Sequence, residues 1–139
     1  MITYRSDETV AEWMRAYWRS QGEDIDWPKP YICFGAELDG EIKLGVIYEG
    51  YNVWDVNMHI VLTDRRAITR RVLQAGFDFP FNRLKVQRVT GLVPVDNMAA
   101  REFDEKLGFV QEGRKRHAFA GKVDGIYYGM LREDCRWIK

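Results

Sequence analysis

The sequence has little of what would place a protein in a specialised class. Its 139 residues hold only two cysteines, Cys33 and Cys135. They show no metal-ligand spacing and no disulfide framework, and read as reduced thiols of a cytoplasmic protein. Two histidines, His59 and His117, stand in no metal spacing with them, so no metal is expected. No apolar run approaches the ~18 residues that a membrane span needs, and the opening MITYRSDETV lacks the apolar heart of a signal peptide. Excess charge is missing too, since 21 basic side chains face 21 acidic ones. Such a balance gives no push toward nucleic acid or an anionic membrane. A local basic group exists at Arg65, Arg66, Arg70 and Arg71, but neutral overall charge argues against a nucleic-acid partner. Gly-x-Ser-x-Gly and P-loop patterns are absent, as are internal repeats and low-complexity segments.

What remains is an ordinary globular composition, 46% hydrophobic and 30% charged, at the length of one domain spanning 1–139. A short β-prone stretch, Ile2 to Arg5, precedes a helix start at Ser6-Asp7-Glu8. Val10, Trp13, Met14 and Tyr17 then recur at helical spacing, and Gly22 ends the helix. Gly22 to Pro30 reads as an irregular loop. Tyr31 to Leu38 and Glu41 to Glu49 are strands joined by the turn signal Asp39-Gly40. Val53 to Leu62 alternates cleanly, with Val56, Met58, Ile60 and Leu62 on one face and Asp55, Asn57, His59 and Val61 on the other.

Thr63-Asp64 predicts the N-cap of a helix whose buried stripe is Ile68, Val72, Ala75 and Phe79, stopped by Pro80. Val86 to Val93 is a strand. Asp96-Asn97 caps a further helix with Ala100, Phe103 and Leu107 inward and Gly108 at a left-handed C-cap. Phe109 onward is extended, broken by Gly121 and Asp124-Gly125, before a last strand from Ile126 to Arg132. The order β-α-β-β-β-α-β-α-β-β predicts a mixed α/β sheet of about seven strands with helices packed on it. Dinucleotide-binding folds lack the central three-strand meander.

Two stretches carry a family resemblance. Val93-Pro94-Val95-Asp96-Asn97-Met98-Ala99-Ala100 and Glu105-Lys106-Leu107-Gly108-Phe109-Val110-Gln111-Glu112-Gly113 resemble the C-terminal motif of the GNAT acyltransferases. The ending Tyr128-Gly129-Met130-Leu131-Arg132 is similar to the last strand of members related to protein N-terminal acetyltransferases. The resemblance implies the GNAT fold, a mostly antiparallel sheet splayed between its fourth and fifth strands, and acetyl-CoA as co-substrate. It makes Asn97 a cofactor contact, with Ala100 leaving room for a pantetheine arm and Phe103 packing against it. The compact length suits a small, divergent member of phage type.

One hallmark departs from the family. Its Gln/Arg-x-x-Gly-x-Gly/Ala loop presents backbone N–H groups to the cofactor pyrophosphate. Here the matching stretch is Asp64-Arg65-Arg66-Ala67-Ile68-Thr69, with an acid at the basic position and no glycine. Arg65, Arg66 and Arg70 are expected to compensate, guanidinium being suited to phosphate oxygens.

For the chemistry, the resemblance implies an N–H within Ile60, Val61 and Leu62 that polarises the thioester carbonyl. The acceptor amine must lose a proton, and His59 is the candidate base, with Glu49 second. Asp55, Asn57 and Trp27 are candidate substrate contacts. Many family members carry a tyrosine on the last helix to protonate the thiolate. Asp104 stands there, and an ionised carboxylate cannot donate, so that role reads as vacant.

The expected function is transfer of an acetyl group to an amine on a small molecule, peptide or protein, in the cytoplasm, with a homodimer permitted. The rival is a non-catalytic CoA-sensing or protein-interaction module of the same fold. The missing glycines, Asp64 and the vacant tyrosine position favour it; Asn97 and the polar face through His59 oppose it.

Overall fold

A computed structural model describes residues 1–3 and 5–139. The elements follow in the order α1 (Asp7–Ser20), β1 (Tyr31–Leu38), β2 (Glu41–Glu49), β3 (Asp55–Leu62), α2 (Arg70–Asp78), β4 (Arg88–Pro94), α3 (Met98–Leu107), β5 (Val110–Phe119) and β6 (Val123–Leu131). Six strands form one sheet in the order β1-β2-β3-β4-β6-β5. Every pairing is antiparallel except that of β3 with β4.

Among the described residues the count is six rather than the expected seven. Of the stretch Ile2 to Arg5, Tyr4 lies outside the described residues, and the remainder shows only a single bridge from Ile2 to Ala36.

The caps explain the helices. Ser6 accepts from the Thr9 N–H to begin α1, and Asn97 accepts from the Ala100 N–H at 3.2 Å to begin α3. Gly108, at φ 117°, closes α3 in the left-handed region where a Cβ would be strained.

The second helix departs from expectation at both ends. Asp64 caps only a three-residue turn, Arg65–Ala67, and α2 itself is capped by Thr69 through the Val72 N–H. Its buried residues are Val72, Gly76 and Phe77; of the expected stripe, Ile68 and Phe79 pack against the same core, and Ala75 is half-buried. Pro80 does not end the chain's winding. It lies in a wider turn, Phe79–Arg83, closed by the Leu84 N–H on the Phe79 carbonyl. Proline is tolerated there because the first turn of a helical segment has no use for its missing N–H. Asp124-Gly125 likewise falls inside β6 instead of interrupting it, where Gly125 pairs with Pro94 and Lys115.

Alternation along the strands separates two cores. Val56, Met58, Ile60 and Leu62 face α2 and α3 in the larger cluster, which includes fully buried Phe77 and Phe81. Val61 turns the other way, toward Val10, Ala11 and Met14 of α1, together with Trp27, Ile42 and Ile47. Each large side chain so buried contributes about 1.5–3 kcal/mol. The sheet is thereby fixed between α1 on one face and the α2/α3 pair on the other.

Candidate active site

The parallel pairing of β3 with β4 is short. It runs only from Asp55↔Arg88 through Val56↔Val89 to Asn57↔Thr90. Beyond that point the strands part, and Met58 to Leu62 and Gly91 to Pro94 line opposite walls of a cavity of about 670 Å³. A crevice at the carboxyl ends of parallel strands is the usual place for a ligand in such sheets.

The register shows which backbone groups face the opening. Thr63 donates to the Lys43 carbonyl, which makes Lys43 and Thr63 a hydrogen-bonded pair of the β2–β3 ladder. Such pairs alternate with non-bonded ones, so His59 and Val61 direct their N–H and C=O groups to β2. Met58, Ile60 and Leu62 direct theirs toward the parted side. Ile60 and Leu62 therefore hold backbone donors at the cleft, whereas the N–H of Val61 is spent on β2. The side chain of Val61 borders the cavity from the α1 face.

On that face lie the groups able to move a proton. His59 Nε2 is 3.3 Å from Glu49 Oε2, and Glu49 Oε1 accepts from Asn57 Nδ2 at 2.7 Å. Glu49 is 7% exposed, the one buried charged side chain among the described residues. The hydrogen bond with His59 is the main cause that holds its carboxyl below the usual carboxylate range; the Asn57 amide adds to it and burial opposes both. Trp27 covers the pair, its ring centroid 6.1 Å from that of His59.

The loop that carries Trp27 is tied down by Arg15. Its Nε donates to Asp26 Oδ1 at 3.0 Å and its guanidinium also reaches Glu8 and Tyr31. Asp26 Oδ1 in turn accepts from the Trp27 N–H at 2.8 Å. Glu23, Asp24, Trp18 and Trp27 thus form an acidic and aromatic wall at this end of the cavity.

The opposite wall is α3. Asn97, Ala100 and Asp104 succeed one another at i, i+3 and i+7 along the cavity side, with Phe103 beside them. Asn97 is partly engaged as the cap. The small Ala99 and Ala100 leave a shallow surface along the helix start.

Asp104 requires a correction. Burial is the main cause, with the neighbouring Glu105 charge adding to it, that pushes its carboxyl up to about 7. Near neutral pH it therefore holds its proton in a large fraction of molecules, and the expectation of a carboxylate unable to donate does not stand. Composition shows the residue type, while the protonation state depends on a burial that only packing reveals.

Several expected contacts lie elsewhere. Asp55 accepts from Thr90 Oγ1 at 2.9 Å and sits 3.8 Å from Arg88 Nε, in the closed part of the sheet. Asn57 serves Glu49 and does not line the cavity. Of the loop 64–70, Asp64 and Arg65 border the cavity. Arg66 is paired with Asp64 at 2.7 Å, and the Ala67 methyl is buried in the core. Ile68 packs against the larger core, Thr69 is committed as a cap, and Arg70 is exposed. The Arg66 N–H goes to Asp64 Oδ1, that of Ala67 to the Asp64 carbonyl, and that of Ile68 to the Arg65 carbonyl. Three of the backbone donors of this loop are thus satisfied within the loop itself.

Gly91 of β4 was not foreseen. A glycine inside a strand pattern is a signal for close backbone approach, and here it lies where the strands part.

The parted sheet and its helices are those of the GNAT acetyltransferases, and the chain has that fold. No family model matches it. It is 23% identical over 133 residues to "Putative ribosomal N-acetyltransferase YdaF" of Bacillus subtilis, covering 93% of this chain and 73% of that one. Among solved structures, the F149G variant of the SpeG spermidine N-acetyltransferase from Vibrio cholerae superposes with a TM-score of 0.77 at 12% identity, over 100% of this chain and 96% of that one. The F149A variant gives 0.76 at 15% identity over 94% of both chains.

Proposed function

We propose that the protein transfers an acetyl group from acetyl-CoA to an amine by direct attack on the thioester. The observation that carries this reading is the parting of β3 from β4 after Asn57 and Thr90, with the open edge of β3 between a His59–Glu49 pair and the Asn97–Ala100 wall. The thioester oxygen would accept from a backbone N–H of Ile60 or Leu62, fixed before substrate arrives. Asn97, Ala100 and Phe103 would hold the pantetheine arm, and Arg65, a basic side chain of the 64–70 loop that borders the cavity, would meet the phosphates.

The amine enters on the α1 face. It arrives as ammonium, with a pKa near ~10.4 for a lysine-like group, and must lose a proton before it attacks. His59, backed by the Glu49 carboxylate, is the acceptor in reach. Glu23, Asp24, Trp18 and Trp27 favour a cationic acceptor, through charge and through ring faces. The names of the similar proteins, one for ribosomal acetylation and one for spermidine, also point to amines. The reading carries with it a cytoplasmic place of work.

The engagement of the Arg66, Ala67 and Ile68 N–H groups within the 64–69 loop favours a second reading, a module of this fold that has lost its cofactor. Calorimetric titration with acetyl-CoA and with free CoA separates the two. Micromolar binding, followed by thiol release with spermidine or an N-terminal peptide, supports the transferase. No binding at millimolar acetyl-CoA leaves the second reading.

A further inference from the structure

We infer that Arg15 is a positioning residue for the acceptor side of the site: acting through Asp26, it holds Trp27 over the His59–Glu49 pair, a role that rests on the acetyltransferase reading above.

The loop between α1 and β1 has little of its own to define it. Its first turn closes on the helix, with Gln21 and Glu23 donating to the Trp18 carbonyl and Gly22 to that of Arg19. From Asp24 to Pro30, among the described residues, the one backbone N–H with a partner is that of Trp27. The partner is Asp26 Oδ1, at 2.8 Å. The same oxygen accepts from Arg15 Nε at 3.0 Å. Asp26 therefore joins the backbone of the loop to the helix, and Arg15 is the joint.

The surroundings of Arg15 suit that use. Its side chain is 14% exposed, whereas Glu8, Glu12 and Asp26 around it are each more than half exposed. Nη1 donates to Glu8 at 2.8 Å and to Glu12 at 3.2 Å, and Nη2 to the Tyr31 hydroxyl at 2.8 Å, so every guanidinium nitrogen is engaged. The Tyr31 hydroxyl donates in turn to Glu8 Oε2 at 2.5 Å. A planar fork of this kind reaches α1, the loop and β1 at once, which the single nitrogen of a lysine does not. The Trp27 N–H, and after it the guanidinium, hold the Asp26 carboxyl below the usual carboxylate range, so the tie persists at neutral pH.

What the tie presents is Trp27. Its ring is buried with Val10, Ala11 and Met14 of α1 and with Ile47 and Val61 of the sheet, and its centroid lies 6.1 Å from that of His59. Both residues border the cavity. An amine that gives its proton to the imidazole must pass beside this ring. A displaced ring would misplace the amine and admit water to the base.

Proton NMR of the full chain without ligand tests the placement, because the chain has only two histidines and His117→Gln assigns them. Trp27→Ala removes the ring and shows the His59 resonance of an uncovered pair. Arg15→Met and Asp26→Ala are each expected to move the resonance in that direction. The two combined should move it no further than Asp26→Ala alone, since they break one link. Tyr31→Phe cuts another contact of Arg15 but spares Asp26, and should leave the resonance in place. Additive displacements, no displacement by Asp26→Ala, or one as large from Tyr31→Phe would each overturn the inference. Should Arg15→Met fail to fold, Asp26→Ala against Tyr31→Phe carries the same test, because the Asp26 side chain is exposed.

Transfer tests the consequence. With the amine that the wild type accepts, spermidine or an N-terminal peptide, Asp26→Ala is expected to lower kcat about tenfold with acetyl-CoA affinity little changed. An unchanged kcat, or a matching loss of acetyl-CoA affinity, speaks against positioning. A wild type that releases no thiol with either amine overturns the acetyltransferase reading, and the NMR series then still decides whether Arg15 holds Trp27.

Discussion

His59 Nε2 and Glu49 Oε2 meet at 3.3 Å across two adjacent strands, although the residues are not directly opposed in the ladder: His59 pairs with Ile47, and Glu49 with Asn57. The contact is the diagonal one between next-but-one positions on a single face of the sheet. The third member, Asn57, holds the free oxygen of Glu49 and so fixes how the carboxylate is presented to the imidazole.

This arrangement separates two variants. His59→Ala removes the proton acceptor and is expected to reduce transfer about 10²–10⁴-fold while acetyl-CoA still binds. Glu49→Gln retains the imidazole and acts on stability as well. The folded-state pKa of Glu49 is depressed, so its stabilising contribution is present above about 4.5 and is lost as pH falls through the lower folded value. Urea unfolding at pH 7 should show Glu49→Gln destabilised by about 1–3 kcal/mol, with the gap to the wild type narrowing below pH 4. An unchanged gap would refute the assignment.

Tyr48 joins β2 to α2. Its buried hydroxyl donates to the Gly76 carbonyl at 2.5 Å, and burial is the main cause that pushes its ionisation well above the normal tyrosine range. Tyr48→Phe leaves that carbonyl without its partner in a dry interior and is expected to cost about 1–3 kcal/mol. The denaturation midpoint should fall with no change in slope, since the surface exposed on unfolding is the same.

Gly91 tests the cavity without touching any ionisable group. An added Cβ would meet only the Met58 carbonyl oxygen, at 3.6 Å, an ordinary contact, so Gly91→Ala is expected to fold. The added methyl stands beside the point where the strands part. Acetyl-CoA affinity is expected to fall at least about tenfold, or ~1.4 kcal/mol, with thermal stability nearly unaltered. Unaltered affinity would show that the thioester does not occupy this part of the cavity.

The success of sequence reading follows from how local each signal is. The Asn97 and Gly108 caps of α3 and the Asp39-Gly40 hairpin were legible because turn chemistry acts within a few residues. The faces of β3 were legible because alternation has a fixed period. Two cap-competent residues, Asp64 and Thr69, compete for α2, and position alone does not decide between them. The short turn that Asp64 closes pushes the helix start to Arg70. At the site, His59 and Trp27 were legible as polar and aromatic residues facing one end of the cavity, and Glu49 only as a secondary candidate. Asp55 and Asn57 share the face of His59 but not its surroundings, since the sheet is closed beside them and open beyond.

Asp64 sits at the rim of the cavity, and its carboxylate is held down to about 2, chiefly by the Arg66 guanidinium. At every physiological pH it is therefore an anion beside the place expected for phosphates. Asparagine caps as well as aspartate does, so Asp64→Asn should retain the turn and remove the repulsion. CoA is expected to bind about two- to fivefold tighter, most clearly at low salt, where such exposed interactions are least screened. Calorimetry at two ionic strengths checks it, and weaker binding by the variant would mean that the carboxylate serves the loop's shape rather than opposing the ligand.

The raised pKa of Asp104 has a consequence for stability that is independent of any ligand. The unfolded chain releases this proton near ~3.9, the usual aspartate value, whereas the folded protein retains it up to about 7. Between those limits the folded state binds more protons than the unfolded one, so stability falls as pH rises across that window. Above pH 7 the folded protein must carry a carboxylate without a counter-charge in its cavity wall. Asp104→Asn has the same shape and never ionises. It should match the wild type near pH 4 and melt at least about 2–4 °C higher at pH 8, the shift that ~1 kcal/mol gives a chain of this size. Scanning calorimetry at the two pH values distinguishes this from a general packing gain, which would raise melting equally at both.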